Sequence, residues 1–251
     1  MNRTEALFSR LAEDARKDPN ILAFWLDGSR GKGVITPHSD YDCTMIVKDE
    51  VLGDYREKYE SLGNREIEVG VLTFDLFRRH AAWGSPAAWD RYNFTHLRAL
   101  VDKTGEAQKL IDEKGSMPPA EIPKVIHQAL DHYVNQIYRS IKCTRNGQRI
   151  GARLEAAGEI TPLLDAVFAL HGRLRPYFKY LEWEFKNYPV TKLGIDPSEF
   201  QRALLEILAS GDIKTQQFLL AKAETLFRTE GYGAVFDAWG EKLTWMKEYS
   251  S

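Results

Sequence analysis

The chain has 251 residues, 43% of them hydrophobic and 28% charged, and a formal charge of −2 from 34 basic and 36 acidic side chains. Such a composition excludes a disordered or fibrous chain, and the length allows one or two globular domains. Both halves are near neutral, which argues against a broad polynucleotide-binding surface but leaves room for a small anion held by local groups.

In chain order, Ala6, Leu7, Leu11 and Ala15 recur at helical spacing, so Glu5 to Lys17 reads as an amphipathic helix. Ile21 to Leu26 is a short apolar run that stops at Asp27-Gly28, as a buried strand does. A Gly-rich connection, Gly28 to Gly33, leads to a second strand over Tyr41 to Val47. A helix is expected within Asp49 to Leu62, and Glu66 to Leu72 alternates with period two like a strand. Phe74 to Ala82 and Pro86 to Thr95 look helical, and Ala99 to Val101 reads as a last short strand. The turn formers of Gly115 to Pro123 mark a boundary, giving domains 1–116 and 117–251. Beyond it the periodicity predicts helices only: Val125 to Cys143, Thr161 to Tyr180 and onward, Pro197 to Ser210, Ile213 to Thr229 and Ala234 to Tyr249. The fold class is therefore α+β, a mixed sheet flanked by helices followed by an all-α bundle.

Cys43 and Cys143 read as reduced thiols, a single long-range disulfide being the alternative. The N-terminus has no apolar signal core, and no apolar run approaches about 18 residues. The expectation is a cytoplasmic protein with no membrane partner.

Asp40 and Asp42 lie two apart at a strand start, so their carboxylates share a face and repel unless a cation neutralises them. A hard divalent ion such as Mg²⁺, which brings substrate phosphates with it, fits that pair, although a solvated strand end has the same pattern. Gly28-Ser29, directly after the buried strand, suits phosphate oxygens, and Arg30 and Lys32 add cations to the loop. Neither the Walker spacing nor a Rossmann fingerprint is present. The six histidines show no metal-ligand spacing, and His38 reads as a loop residue or phosphate neighbour.

The string G-S-R-G-K-G-V-I-T-P-H-S-D-Y-D, with strands on both sides, resembles the signature of the nucleotidyltransferase superfamily related to DNA polymerase β. The resemblance implies an N-terminal nucleotidyltransferase domain in which Asp40 and Asp42, with a third acid on a following strand, hold two Mg²⁺ ions. Gly28, Ser29, Arg30 and Ser39 would then bind a nucleoside triphosphate, ATP being the expected one. Glu68 is chosen as the third acid, either as a metal ligand only or also as the base for the acceptor hydroxyl. Glu66 shares its face by parity, so periodicity does not separate the two, and both depart from the commoner Asp.

A small α/β domain followed by a helical half of similar size looks like the aminoglycoside and lincosamide antibiotic nucleotidyltransferases. The expected reaction is transfer of a nucleoside monophosphate to a hydroxyl of a small molecule, with pyrophosphate released. In the helical half, Arg139, Lys142, Arg145, Arg149 and Arg153 recur at steps of three and four and would form one basic stripe if the segment is a single helix. Lys142 and Arg149 are its candidates for the phosphates, a solvated face being the alternative and Asn146-Gly147 a break in the pattern. Tyr177, Lys179, Glu182 and Trp183 are candidates for an acceptor pocket, with Glu182 and Glu184 able to meet a cationic acceptor; aromatic core packing is the competing reading for Trp183 and Tyr180, and a charged helix face for the two acids. The competing functions are a protein AMP-transferase of antitoxin type and a catalytically silent nucleotide sensor. The oligomeric expectation is a monomer or homodimer.

Overall fold

The computed structural model describes residues 3–250. The chain is α+β, with a four-stranded mixed sheet flanked by helices and a helical C-terminal region. Its residues group into two units, Met1–Met117 and Pro118–Ser251.

In unit one the elements are α1 (Arg3–Lys17), β1 (Ile21–Leu26), α2 (Gly28–Gly31), β2 (Tyr41–Val47), α3 (Leu52–Glu60), β3 (Ile67–Leu72), α4 (Phe74–Arg79), β4 (Ala99–Asp102) and α5 (Glu106–Lys114). The sheet runs β3-β2-β1-β4, with β2 and β3 parallel and β1 antiparallel to both β2 and β4. Alternation along β2 sends Tyr41, Cys43, Met45 and Val47 to one face, where Ile67, Val69, Val71 and the α1 residues Leu11 and Ala15 close a core. The opposite face carries Trp25 and Ile46 under Phe77, Phe94 and Ile111. Full burial of such side chains stabilises by about 1.5–3 kcal/mol each. Asp42 and Glu68 belong to this second face by parity, at the start of their strands, and stay half-buried and exposed respectively.

Two expectations for this unit change. Gly28 to Gly33 is not a loop throughout: its first four residues form one helical turn, in which Gly31 N–H donates to Asp27 O at 2.9 Å. Pro86 to Thr95 is not an α-helix but a 3-10 segment over Ala88–Phe94. Buried cations explain it. Lys32 Nζ donates to the carbonyls of Tyr92 at 3.1 Å, Asn93 at 2.8 Å and also Thr95, while the Arg91 guanidinium holds those of Ala81, Glu113 and Ser116. These side chains satisfy carbonyls that a 3-10 segment and its neighbours leave open.

Unit two contains α6 (Ile122–Arg145), α7 (Arg149–Leu170), α8 (Leu181–Asn187), α9 (Pro197–Ser210), α10 (Ile213–Thr229), α11 (Gly233–Asp237) and α12 (Glu241–Glu248). The helix expected from Thr161 begins twelve residues earlier, at Arg149, and stops at Leu170. There Gly172 and Arg173 N–H turn back onto the Ala169 and Phe168 carbonyls, and a 3-10 turn over Phe178–Tyr180 follows. Asp196 caps α9 by accepting from Ser198 N–H at 2.8 Å, and Gly211, at φ 61°, ends it in the left-handed conformation. The helix expected over Ala234 to Tyr249 is two helices, interrupted where Trp239 and Gly240 N–H bond back to Phe236 and Asp237.

Glu159 of α7 is fully buried with no hydrogen-bond partner on either carboxyl oxygen, and the Tyr133 hydroxyl of α6 is buried and unpaired as well. Both cysteines are free. Among the described residues no helix is long and apolar enough to cross a membrane.

Candidate functional site

The β1/β2 ladder continues one step past β1, because Asp27 N–H donates to Asp42 O at 2.8 Å. Gly28 therefore emerges directly beside Asp42. Its φ is +58°, and a Cβ built on it would lie 2.5 Å from Asp42 Oδ2, so this position needs glycine both for conformation and for space. Gly28→Ala is expected to destabilise unit one by about 2 kcal/mol in a denaturant titration, from backbone strain plus displacement of the Asp42 carboxylate.

The turn that follows is tied to the segment before β2. Ser29 Oγ donates to Ser39 Oγ at 2.9 Å, Ser39 Oγ accepts from Thr36 N–H at 2.9 Å, and Arg30 Nε donates to Ser39 O at 3.1 Å. The Arg30 guanidinium also lies 3.8 Å from the Tyr41 ring centroid. Lys32 leaves the expected cation group, since its ammonium is buried on the backbone carbonyls described above.

Asp42 and Glu68 are register neighbours on the parallel strands β2 and β3. Asp40 and Glu66 precede the paired segment. Together with Arg30, His38, Ser39 and Arg65 they line a polar cavity of about 260 Å³. Glu66 accepts a hydrogen bond from Thr4 of α1, whereas Glu68 stands beside Asp42. Among the described residues no three His, Cys, Asp or Glu side chains converge as a metal cluster.

Asp27 is the residue that sequence reasoning missed. It is buried, and that burial raises its carboxyl from the usual 3.8 to about 6. Hydrogen bonds from Thr44 Oγ1 and from Trp25 Nε1, the latter at 2.8 Å, oppose the rise; the nearby Asp42 charge adds to it and Lys32 lowers it. The available signal was an acid following Trp at the end of a buried strand. Because the folded-state value is raised, Asp27 contributes most stability below about pH 4 and loses it as pH climbs to 6, by about 3 kcal/mol. Asp27→Asn should flatten that part of the stability–pH curve, measured by urea unfolding without added metal. Cys43, on β2, is pushed up to about 12 by burial and by the Asp27 and Asp42 charges, so it is no thiolate nucleophile.

In unit two the five cations do not form one stripe. The turn at Asn146 to Gln148 puts Arg139, Lys142 and Arg145 on α6 and Arg149 and Arg153 on α7. Arg139 Nε pairs with Glu155 at 2.8 Å, Arg145 lies over the Trp245 ring at 5.6 Å, Lys142 lies 5.8 Å from the Tyr138 centroid, and Arg153 donates to Ala209 O. Tyr177 precedes the 3-10 turn, and Lys179 Nζ sits 4.9 Å from the Tyr180 centroid. Glu182 instead borders an apolar groove with Phe178, so these three acceptor candidates do not line one cavity. Glu184 is buried against Arg173 and unavailable to a cationic ligand.

No family model matches the chain, and no curated protein matches it. Among solved structures it is similar to a nucleotidyltransferase-like protein from Exiguobacterium sibiricum 255-15, at 12% identity and a TM-score of 0.44, over 97% of this chain and 86% of that one.

Proposed function

We propose that the chain is a nucleotidyltransferase that moves a nucleoside monophosphate, AMP from ATP, onto a hydroxyl of a small molecule and releases pyrophosphate. The observation that carries this reading is the opening of Gly28 against the Asp42 carboxylate, with Glu68 next to Asp42 in register. The donors are hard oxygens. Mg²⁺ takes one or two carboxylates and fills its shell with water and phosphate oxygens, so Asp42 with Glu68, and Asp40 nearby, fit it without a complete cluster of protein ligands. When bound, such an ion supplies neutralisation of the phosphate charge and of the leaving pyrophosphate.

The remaining roles fall to this chain's own groups. Ser29, Ser39 and the backbone around Gly28 orient the phosphates, and Arg30 adds charge at the same place. The acceptor oxygen attacks the α-phosphorus as its bond to the pyrophosphate oxygen breaks, and Glu68, exposed beside Asp42, takes the hydroxyl proton. Tyr177 and Lys179 are the first residues of unit two to vary in a search for acceptor recognition.

The test is pyrophosphate release from ATP and Mg²⁺ across aminoglycosides, lincosamides and candidate proteins, with an EDTA control. Release with a small molecule supports the reading, and release with proteins alone replaces it by protein modification. Nucleotide binding without turnover on any acceptor replaces it by a sensor.

A further inference from the structure

Five large apolar side chains stand exposed along one groove of unit two: Ile150 at 79%, Leu154 at 69%, Leu205 at 62%, Phe178 at 58% and Leu208 at 54%. Single exposed apolar residues are ordinary, but a contiguous run marks an interaction surface. The groove lies between α7 and α9. Arg153 of the first turns of α7 reaches Ala209 O at the end of α9, while Thr161 further along α7 lines a cavity with Gln201 near the start of α9, so the helices run antiparallel. On α7, Ile150, Leu154, Ala157 and Thr161 follow at steps of four, three and four and cover about 16 Å of one face. Two cavities, of about 630 and 330 Å³, succeed one another along it.

The two ends of the groove carry opposite charge. Arg149 borders the cavity at the first turn of α7, and Glu182 borders the cavity at the far end. Among the described residues neither has an ion-pair partner. A face that is apolar along its middle, cationic at one end and anionic at the other is complementary to itself after a half-turn, which is the requirement of an isologous interface. The five side chains offer on the order of 500 Å² per copy, or about 1,000 Å² for a pair, the lower bound for a specific interface.

We propose that the α7/α9 face is the interface of a homodimer, with a two-fold axis beside Leu154 and Leu205 that sets Arg149 against Glu182 of the partner subunit. Sedimentation velocity of the full chain from 1 to 100 µM should show a dimer. Leu154→Glu should give a monomer with unchanged far-UV circular dichroism and unfolding midpoint. Arg149→Glu and Glu182→Arg should each weaken association at least tenfold, and the double reversal should restore it. A wild-type monomer at 100 µM overturns the proposal and leaves the groove to another occupant. A dimer that survives Leu154→Glu overturns the interface. Should Leu154→Glu fail to fold, the charge reversals still decide, because reversals that weaken without mutual rescue overturn the pairing.

Discussion

Asp42→Asn is expected to lower pyrophosphate release by about 10³-fold while leaving the fold intact. The carboxylate is half-buried at the point where Gly28 leaves space, and in the proposed reaction it would share a cation with a phosphate on the Ser29 side. Loss of one preorganised charge in such a site costs about 10²–10³ in rate before any effect on metal affinity is added. Glu68→Gln should cost about 10²-fold, and the loss should change with pH if the carboxylate takes the acceptor proton. Glu66→Gln should stay within about threefold of wild type on the same reasoning, because its carboxylate is engaged by Thr4 and it precedes the paired part of β3. Asp40→Asn, in the cavity beside Arg30 and Ser39, should fall between these and raise the apparent KM for ATP more than it lowers kcat. Equal, mild losses for Glu66 and Glu68 would remove the third acid, and an active Asp42→Asn would remove the site.

The different contacts of Glu66 and Glu68 show where sequence periodicity stops. Parity puts both on one face, as it does Asp40 and Asp42, but parity holds only within a paired strand, and β2 and β3 begin at Tyr41 and Ile67. Outside the ladder the side chains follow local contacts, here Thr4 of α1. The part of the fold that was legible is the part determined locally. Ile21–Leu26 is a strand because six apolar residues run into Asp27-Gly28, and α9 starts and stops at Asp196-Pro197 and Gly211. What was not legible depends on distant residues. The α7 helix contains Gly151, Gly158 and Pro162, all poor helix formers, and persists because Ile160, Leu163, Leu164 and Val167 are buried in its unit. The 3-10 segment at Ala88–Phe94 depends on Lys32, about sixty residues away, which is also why that lysine is missing from the expected cation group. Asp27 reads as a strand stop until the β1/β2 register brings Thr44 to it.

Glu159 should make the protein lose stability steadily as pH rises. Burial holds its carboxyl well above the ordinary value of 4.5, and neither oxygen has a hydrogen-bond partner to favour the charged form. The folded state therefore keeps a proton that the unfolded chain releases, so stability is fully present below about pH 4.5 and declines by about 1.4 kcal/mol per pH unit above it, until the folded-state value is reached. Asp27 contributes a slope of the same sign only up to about pH 6. The depressed value of His171 gives the opposite sign, and only below its ordinary 6.5. Urea unfolding above pH 6.5 reads Glu159 with little from Asp27 or His171, Cys43 adding a slope of the same sign only as pH nears 9. Glu159→Gln should lessen the slope there, and Glu159→Met, which fills similar space without a carboxyl, should raise stability relative to wild type more as pH rises. Tyr133→Phe should cost nothing, because the hydroxyl it removes is itself unpaired. A wild-type slope that persists undiminished in Glu159→Gln would mean that the carboxyl is already ionised in the fold, which its buried, unpartnered surroundings oppose by several kcal/mol.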